Sequence, residues 1–392
     1  MVAVAGCGTV QSGAPAGQAS SAAPATASQS AAASNAAPQQ QASGQPAGGP
    51  VPAGFAATSV TFVSPDESFV LGTAPCATPP CTSIVRTLDR GAHWRGIPAP
   101  VVPLGTPYQG KSAAVWGIRF ASPAQGFVFG SGLWETADGG LHWVRDSQPG
   151  RTILSLAVLG SHVLALTDRC TPSGGCGQNA TLVRRPLAGG AWSTVATVHS
   201  AWLLDATDLI STQAGDAAVL DGTKVLTITN GGMFASVHPT PCTKEGVAFP
   251  ASVAATSGHG DLALLCVGQA AMSHTQKRVY ISGNGGATWA KAGVPDSAGD
   301  GGTIAGPTPV TTVIATASAA SWLYRSTNVA ASWHTVRFES DGGMGWADLG
   351  FTTFTQGVVV HGPAITDGNR DHRPGQLLLT SDTGATWQPV HF

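Results

Sequence analysis

The sequence is poor in charged residues. Asp, Glu, Lys and Arg together make up 10% of its 392 residues, against about 25% in an average soluble domain. Lysine occurs five times, the formal net charge is −2, and the arginines are scattered along the chain, with one adjacent pair. Because binding to nucleic acid needs basic residues gathered into a patch or stripe, we expect no nucleic-acid partner.

Long apolar runs are also lacking. The sequence has no run of about 20 apolar residues, so it predicts no segment that spans a membrane. Residues 8–54 contain no Lys, Arg, Asp or Glu and consist almost wholly of Ala, Ser, Gln, Gly and Pro. Such a segment cannot bury a core, and we expect a disordered tether ahead of a folded head at residues 55–392.

Residues 1–7 suggest a compartment. The string from Val2 to Cys7 resembles the end of a bacterial lipoprotein signal, in which small residues precede a Cys that is lipidated. The charged region and most of the apolar region of such a signal are absent. The resemblance implies lipidation of Cys7 and an extracytoplasmic protein that contacts the membrane only through its lipid anchor. The alternative is a secreted protein with a low-complexity leader.

Cysteine usage agrees with export, because the head contains six cysteines, an even number. Six cysteines allow 15 pairings, and closeness in sequence favours Cys76–Cys81, Cys170–Cys176 and Cys242–Cys266. Zinc is the rival interpretation. The spacings are wide for a zinc knuckle and no His stands beside them at ligand spacing, so disulfide bonds are preferred.

The most informative positive feature is an octapeptide, Thr/Ser-x-Asp/Asn-x-Gly-x-x-Trp, that returns along the chain. It occurs at 87–94, 136–143, 282–289 and 380–387, and a copy without Gly occurs at 326–333. In this pattern the Asp or Asn side chain can bond to backbone N–H groups ahead of it, and Gly supplies a positive φ. Short apolar runs precede the copies, so each copy predicts a turn between two strands.

The octapeptide resembles the Asp-box, or BNR, repeat in the β-propellers of sialidases, sortilin-type receptors, some xyloglucan-degrading enzymes and photosystem II assembly factors. In that group the box is a structural turn between the two outer strands of a blade, usually remote from the active face. The resemblance therefore implies a structural rather than a catalytic role for the box residues, including His93 and His142. These box residues are Asp89, Trp94, Asp138, Trp143, Asn284, Trp289, Asn328, Trp333, Asp382 and Trp387.

The spacing of the repeats predicts the number of blades. Trp94 and Trp143 lie 49 residues apart, whereas Trp143 and Trp289 are separated by about three such intervals. Two degenerate copies, at 185–192 and 229–234, fill that gap. Four strands per unit and seven units predict an all-β, seven-bladed β-propeller, with six or eight blades as alternatives.

Resemblance to sialidases does not by itself imply catalysis. The arginine triad, the Tyr–Glu pair and the Asp acid of those enzymes have no complete counterpart, and the nearest string to their Arg-Ile-Pro motif is Arg95-Gly96-Ile97-Pro98. Only three tyrosines occur, at 108, 280 and 324. Other glycosidases need two carboxylates across a cleft, for which the candidates are Asp205, Asp208, Glu245, Asp261 and Asp348.

One segment, Asp367-Gly368-Asn369-Arg370-Asp371-His372, begins like a calcium loop. It lacks Gly at the sixth position, and Leu378 stands at the twelfth, where a Glu would bind the ion. A solvated insertion in the last blade is the preferred interpretation. We therefore predict no metal and no cofactor.

Three tryptophans outside the turns, Trp116, Trp202 and Trp346, stand at or just before innermost strands. There they could bind sugars or a partner's apolar side chains at the central funnel, or they could wedge between adjacent blades. With the charged residues near them they form a predicted ligand site, comprising Trp116, Arg119, Trp202, Asp205, Trp346 and Asp348.

The sequence thus predicts a monomeric, surface-anchored binding or assembly module without catalytic residues. We expect it to recognise a protein or glycan through the face opposite the Asp-box turns. The alternative function is an extracellular glycoside hydrolase. The two differ in whether two poised carboxylates meet in the funnel.

Overall fold

The computed structural model describes residues 46–105, 114–146, 151–170, 179–199, 209–211, 216–229, 234–242, 249–256, 258, 260–364 and 375–392. Seven antiparallel sheets of four strands each make up these parts of the chain. Each sheet takes four strands that are consecutive in sequence. The predicted seven-bladed, all-β propeller is therefore confirmed, with no strand exchanged between the first and last blades.

The first four blades are as follows. Blade 1 contains β1 (Ala56–Phe62), β2 (Ser68–Thr73), β3 (Thr82–Thr87) and β4 (Arg95–Ile97). Blade 2 contains β5 (Val115–Phe120), β6 (Gly126–Gly130), β7 (Leu133–Thr136) and β8 (Val144–Asp146). Blade 3 contains β9 (Thr152–Leu159), β10 (His162–Asp168), β11 (Asn179–Pro186) and β12 (Ser193–His199). Blade 4 contains β13 (Ile210–Ser211), β14 (Ala217–Asp221), β15 (Lys224–Thr229) and β16 (Phe234–Pro239).

The remaining three blades complete the ring. Blade 5 contains β17 (Phe249–Ala255), β18 (Leu262–Ala271), β19 (His274–Ser282) and β20 (Ala290–Lys291). Blade 6 contains β21 (Asp300–Ala305), β22 (Thr312–Ala317), β23 (Ser321–Ser326) and β24 (His334–Glu339). Blade 7 contains β25 (Trp346–Phe351), β26 (Gly357–His361), β27 (Gln376–Thr380) and β28 (Gln388–Pro389).

The first strands of the blades form the inner ring. Each contacts the first strand of the next blade, and β25 of the last blade contacts β1 of the first. The second strands are largely apolar and buried, as in Phe127-Val128-Phe129 of β6, although the end of β18 is exposed. Because both faces of such a strand are covered by neighbouring blades, the core consists of apolar layers between the sheets.

The inner strands share a bulge that the sequence analysis did not predict. The register between first and second strands shifts in blades 1, 2, 3, 5, 6 and 7. In three of these blades a serine at the bulge accepts a hydrogen bond from a backbone N–H of the next blade. The pairs are Ser59 Oγ with Ile118 N at 3.2 Å, Ser155 Oγ with Leu209 N at 3.1 Å, and Ser252 Oγ with Ile304 N at 3.2 Å. These serines join adjacent blades close to the axis.

The folded head begins earlier than the sequence predicts. The predicted tether reaches residue 54, but Gly49 exchanges two backbone hydrogen bonds with Gly96 of β4. The buried guanidinium of Arg86 also donates to the Pro46 carbonyl at 2.8 Å. A segment made of Gly, Pro and Ala can still be held through its backbone groups, which composition alone does not reveal.

Each octapeptide connects the third and fourth strands of its blade, as predicted. In the turn of blade 1, Thr87 Oγ1 accepts from Gly91 N at 3.0 Å, and Asp89 Oδ1 accepts from His93 N at 2.9 Å. The ring nitrogen of Trp94 donates to the Gly91 carbonyl at 3.0 Å. The hydrogen bond from a backbone N–H to the Asp or Asn side chain of the turn recurs in blades 2, 5, 6 and 7. The degenerate copy at 185–192 lies at the equivalent place in blade 3, and that at 229–234 lies outside the described residues except for its ends.

The turn needs positive φ at two positions, not only at the one predicted from the Gly. Gly91 has a φ of 87°, and Arg90 before it has a φ of 61°. In the copy without Gly, Val329 and Ala330 both have a φ of 57°. Left-handed backbone is costly for such residues, so the hydrogen bonds of Asn328 hold this turn in the shape that glycine adopts readily.

The contribution of an octapeptide carboxylate to stability can be tested in blade 7. Asp382→Ala removes the acceptor for Thr386 N and Thr380 Oγ1, and we expect it to lower the free energy of unfolding by about 1 kcal/mol. Asp382→Asn is the matched control and should be nearly neutral, since Asn284 and Asn328 accept the same bonds in blades 5 and 6. Urea unfolding measures both. Equal losses in the two variants would contradict this role.

Two of the predicted disulfide bonds are present. Cys76–Cys81 closes the connection between β2 and β3, and Cys242–Cys266 joins the segment before β17 to β18. Cys170 is also disulfide-bonded, but its predicted partner Cys176 lies outside the described residues. No group of three or more metal-binding side chains occurs among the residues that the structure describes. In the same part of the chain, no helix has the length and apolarity that crossing a membrane requires.

Candidate functional site

The strand order gives the ring two distinct faces. Octapeptide turns join third to fourth strands, so they share one face with the connections between first and second strands. We call this the lower face. The opposite, upper face carries the connections from second to third strands and from each blade to the next, and on it the innermost strands begin. Connections of this kind commonly form ligand sites on rigid scaffolds.

Two predicted site residues, Arg119 and Asp348, meet at the central channel although they belong to blades 2 and 7. Arg119 Nη2 lies 3.1 Å from Asp348 Oδ1, and the two side chains are 28% and 19% exposed. Asp348 Oδ2 also accepts from Val60 N of β1 at 2.7 Å, and Arg119 Nη1 donates to the Val60 carbonyl at 3.4 Å. The pair therefore spans blade 1 and binds the backbone edge of its innermost strand.

The position of Asp348 depends on the bulge in β25. Asp348 has a φ of 50° and lies where the register shifts between Ala347 and Gly350. Asp tolerates this left-handed conformation better than most residues. The bulge directs the carboxylate at Val60 rather than along its own sheet. The last blade is thereby joined to the second blade by an ion pair and to the first by a charge-assisted hydrogen bond.

The contribution of the Arg119–Asp348 pair to the stability of the closed ring can be tested by substitution. Asp348→Ala should lower the free energy of unfolding by about 2 kcal/mol, because it leaves a half-buried guanidinium and the Val60 N–H without their acceptor. Asp348→Asn keeps an acceptor for Val60 and should lose less. A double-mutant cycle with Arg119→Met, followed by chemical unfolding, gives the coupling energy. Additive losses would contradict direct coupling of the two side chains.

Trp346 lies on the upper face, where β25 begins, and is half-buried. Its ring nitrogen donates to the Thr316 carbonyl of blade 6 at 3.0 Å, and its ring centre is 4.7 Å from that of His361. His361 Nε2 in turn lies 2.6 Å from Asp341 Oδ2. Asp341 precedes β25, so an indole, an imidazole and a carboxylate form one cluster between blades 6 and 7.

This cluster does not have the geometry of a catalytic triad. Ser321 Oγ donates to Asp341 Oδ2 at 2.8 Å, so the serine and the histidine share the carboxylate and do not contact each other in the order that nucleophilic catalysis needs. Burial opposes ionisation of Asp341, but hydrogen bonds from Ser321, Gly343 N and His361 hold its pKa below the ordinary value. The carboxylate is therefore a fixed negative charge.

Trp116 stands at the bulge of β5 and is half-buried. Its ring packs against an apolar layer between blades 2 and 3 that includes Phe129 and Ile153. The indole nitrogen is buried and has no hydrogen-bond partner among the residues that the structure describes. This packing resembles the wedge between blades that the sequence analysis gave as the alternative to a ligand-facing ring.

Several other candidates cannot be placed with these. Trp202, Asp205, Asp208, Glu245 and the calcium-like segment 367–372 lie outside the described residues. Asp261 belongs to the turn between β17 and β18 on the lower face, where its carbonyl accepts from Thr256 N. Of the five candidate carboxylates, the structure therefore places only Asp348 at the channel.

The upper face also contains a buried lysine that the sequence analysis missed. Lys277 of β19 is 1% exposed, and its ammonium donates to four backbone carbonyls. Their distances are 3.3 Å for Thr275, 2.9 Å for Ser297, 3.0 Å for Ala298 and 2.7 Å for Gly299. Burial lowers the pKa of Lys277 to about 8, against the attraction of Asp296 and Asp300. The lysine fixes the connection that enters blade 6, and an isolated Lys in a strand gives no sequence signal of this.

A second buried cation, Arg185, joins blades 2 and 3 at their outer strands. Its guanidinium lies 2.6 Å from Glu135 Oε1 and 3.1 Å from Asp146 Oδ2, and 5.0 Å from the ring centre of Trp192. Burial raises the pKa of Glu135, and the neighbouring Asp146 adds to the effect, although Arg185 opposes it. Glu135 and Asp146 are thus two close carboxylates held by one arginine, on β7 and β8 rather than at the channel.

Comparisons with known proteins agree on the fold. No protein-family model and no curated protein matches the chain. Among solved structures, YCF48 bound to a D1 peptide is similar with a TM-score of 0.54 and 14% identity, over 85% of this chain and 94% of that one. YCF48 from Cyanidioschyzon merolae gives 0.54 and 14%, over 85% and 97%. An ancestral GH74 enzyme gives 0.50 and 11%, over 87% of this chain and 46% of that one. At these identities the likeness shows a shared propeller fold.

Proposed function

We propose that this protein is an extracytoplasmic, lipid-anchored binding or assembly module that recognises a protein partner through its upper face and catalyses no reaction. The observation that carries the proposal is the state of the described carboxylates at the channel and on the upper face. Asp348 is bound by Arg119 and Val60 N, and Asp341 by His361 and Ser321. Such groups are fixed charges that can orient a partner, whereas a general acid or base needs a proton to exchange.

The fold neighbours motivate the choice of a protein as the partner. One YCF48 structure contains a D1 peptide, so a propeller of this shape can hold a peptide. Half-buried Trp346 and the Arg119–Asp348 pair offer this chain an aromatic ring and both signs of charge near the channel. Aromatic and arginine side chains of this kind are typical anchors in protein interfaces. A glycan remains the second ligand class to test.

The alternative function, a glycoside hydrolase, has weaker support. Such enzymes need a protonated carboxyl and a second carboxylate facing each other across a substrate cleft. Glu135 has the raised pKa that an acid would need, but Arg185 holds it together with Asp146 by hydrogen bonds and ion pairs. The likeness to a GH74 enzyme concerns the fold and does not supply a catalytic pair.

The proposals that the protein is exported and that it is anchored by a lipid rest on separate observations. Two complete disulfide bonds are typical of proteins folded in an oxidising compartment. The octapeptide geometry supports membership of the Asp-box group. Cys7 and the uncharged segment after it support a lipid anchor with a tether. Labelling with a fatty-acid analogue in a bacterial host should mark the full chain and not Cys7→Ala, and equal labelling would contradict the anchor.

The binding function is tested by selection on the purified protein. A displayed peptide library and a glycan array are presented to the same preparation, and release of sugars from sialosides and xyloglucan is measured in parallel. We expect selected peptides that bind saturably, with no turnover of either glycan. Turnover, or glycan binding without any peptide binding, would contradict the proposal.

A further inference from the structure

A groove between blades 2 and 3 is separate from the residues at the channel. It encloses about 230 Å³ and lies between the start of β7 and the face of blade 3. Its main lining residues are Leu133, Arg151, Ile153, Thr181, Val183 and Trp192. The end near Arg151 and Thr181 is on the upper face, because β9 and β11 both begin there. This end of the groove therefore lies on the side of the proposed binding face.

The aromatic wall of the groove is Trp192, whose ring nitrogen does not bond within its own turn. In the turns of blades 1, 6 and 7 the Trp ring nitrogen donates to a carbonyl of its own turn. The degenerate turn of blade 3 lacks the Asp, and Trp192 Nε1 instead points at Asp146, at 3.5 Å. Arg185 and Asp146 fix the ring, so it forms a rigid apolar wall beside Val183 and Ile153.

One cation, Arg151, lies at the upper-face end of the groove. Arg151 Nη1 donates to Thr181 Oγ1 at 3.0 Å, which fixes the guanidinium at the rim. A cation beside an apolar groove favours a ligand that combines a ring with a carboxylate.

The volume of the groove further limits the kinds of ligand that can bind in it. Sites for drug-sized molecules usually enclose about 300–1,000 Å³, so this groove is too small for an oligosaccharide and suits one large side chain. Buried rings in such grooves are the usual anchors of protein interfaces. A partner residue with a ring, followed or preceded by an acidic residue, matches the wall and the rim together.

We propose that this groove takes an aromatic side chain of the protein partner, while a neighbouring carboxylate of the same peptide pairs with Arg151. The inference rests on the proposed function and adds the chemistry of the recognised sequence.

The test uses the full protein and three blocked dipeptides. N-acetyl-Phe-Asp-amide is compared with N-acetyl-Ala-Asp-amide, which lacks the ring, and N-acetyl-Phe-Asn-amide, which lacks the charge. The indole N–H resonance of Trp192, assigned with Trp192→Phe, reports binding in the groove. We expect the Phe-Asp peptide to shift this resonance and to bind at least 5-fold more tightly than either comparison peptide.

Substitutions of residues that line the groove test whether the peptide binds there. Val183→Phe fills the groove and should weaken Phe-Asp binding more than 10-fold, and Arg151→Gln should weaken it about 5-fold. Arg95→Gln removes an exposed arginine of blade 1 and should change nothing. If Val183→Phe does not fold, the loss of Phe-Asp binding in Arg151→Gln tests the inference by itself. Equal binding of the three dipeptides, or an unmoved Trp192 resonance, would overturn the inference.

Longer peptides from the library selection separate the two proposals. If they bind and are unaffected by Val183→Phe and Arg151→Gln, the groove inference falls and the binding function stands. If no peptide binds at all, the proposed function falls as well.

Discussion

Replacing both Cys242 and Cys266 by alanine should lower the free energy of unfolding by about 3.5 kcal/mol, the loss expected when a loop of this length is no longer closed in the unfolded chain. The two residues lie 24 positions apart. Both are fully buried in the apolar layer between blades 4 and 5, beside Leu220 and Leu264. The bond thus constrains the unfolded chain and also fills the junction of two blades.

The bond in blade 1 provides the matched control. Cys76 and Cys81 lie 5 positions apart and Cys76 is exposed, so their replacement by alanine should cost about 2 kcal/mol or less. Urea unfolding of the two double variants gives both numbers, with circular dichroism to confirm the β-structure. A larger loss in blade 1 than at the blade 4–5 junction would contradict the stapling role of Cys242–Cys266.

The buried lysine should make stability depend on pH in an unusual window. Lys277 has a pKa of about 8 in the folded chain, against about 10.4 for a lysine in an unfolded chain. Between these values the unfolded state binds more protons, so stability rises with pH as the buried ammonium loses its charge. The Lys277 contribution should amount to about 3 kcal/mol between pH 8 and pH 10.5.

The measurement compares wild type with Lys277→Met at several pH values in that window. The difference between their free energies of unfolding should change in favour of the wild type as the pH rises. Lys224→Met, which removes an exposed lysine of blade 4, controls for the general effect of one lysine fewer. A wild-type advantage that stays constant from pH 7 to pH 10.5 would show that Lys277 titrates normally.

The propeller could be predicted from sequence because its signals are local and repeated. Asp89 and Trp94 make hydrogen bonds within their own turn, and the apolar second strands are continuous runs. Disulfide pairs close in sequence followed from the same local logic. The sequence of each repeat predicts the structure of its own blade, and the number of repeats then predicts the number of blades in the ring.

The site could be predicted only in part, because its contacts join distant blades. Arg119 and Asp348 were both selected as residues near innermost strands, but their separation of 229 positions gave no indication that they pair. Asp341 and His361 were not selected at all, since a lone Asp in a Gly-rich loop is an ordinary turn residue. Ser59 and Lys277 likewise act on the backbone of a neighbouring blade or connection, which a single sequence does not identify.

The central claim is that a partner binds the upper face, and amide hydrogen exchange of the protein with and without a selected peptide tests it most directly. The account predicts slower exchange in upper-face connections such as 272–275, 318–320 and 340–345, with the octapeptide turns at 87–94 and 136–143 unchanged. Slower exchange confined to those turns would place the partner on the lower face and contradict the account.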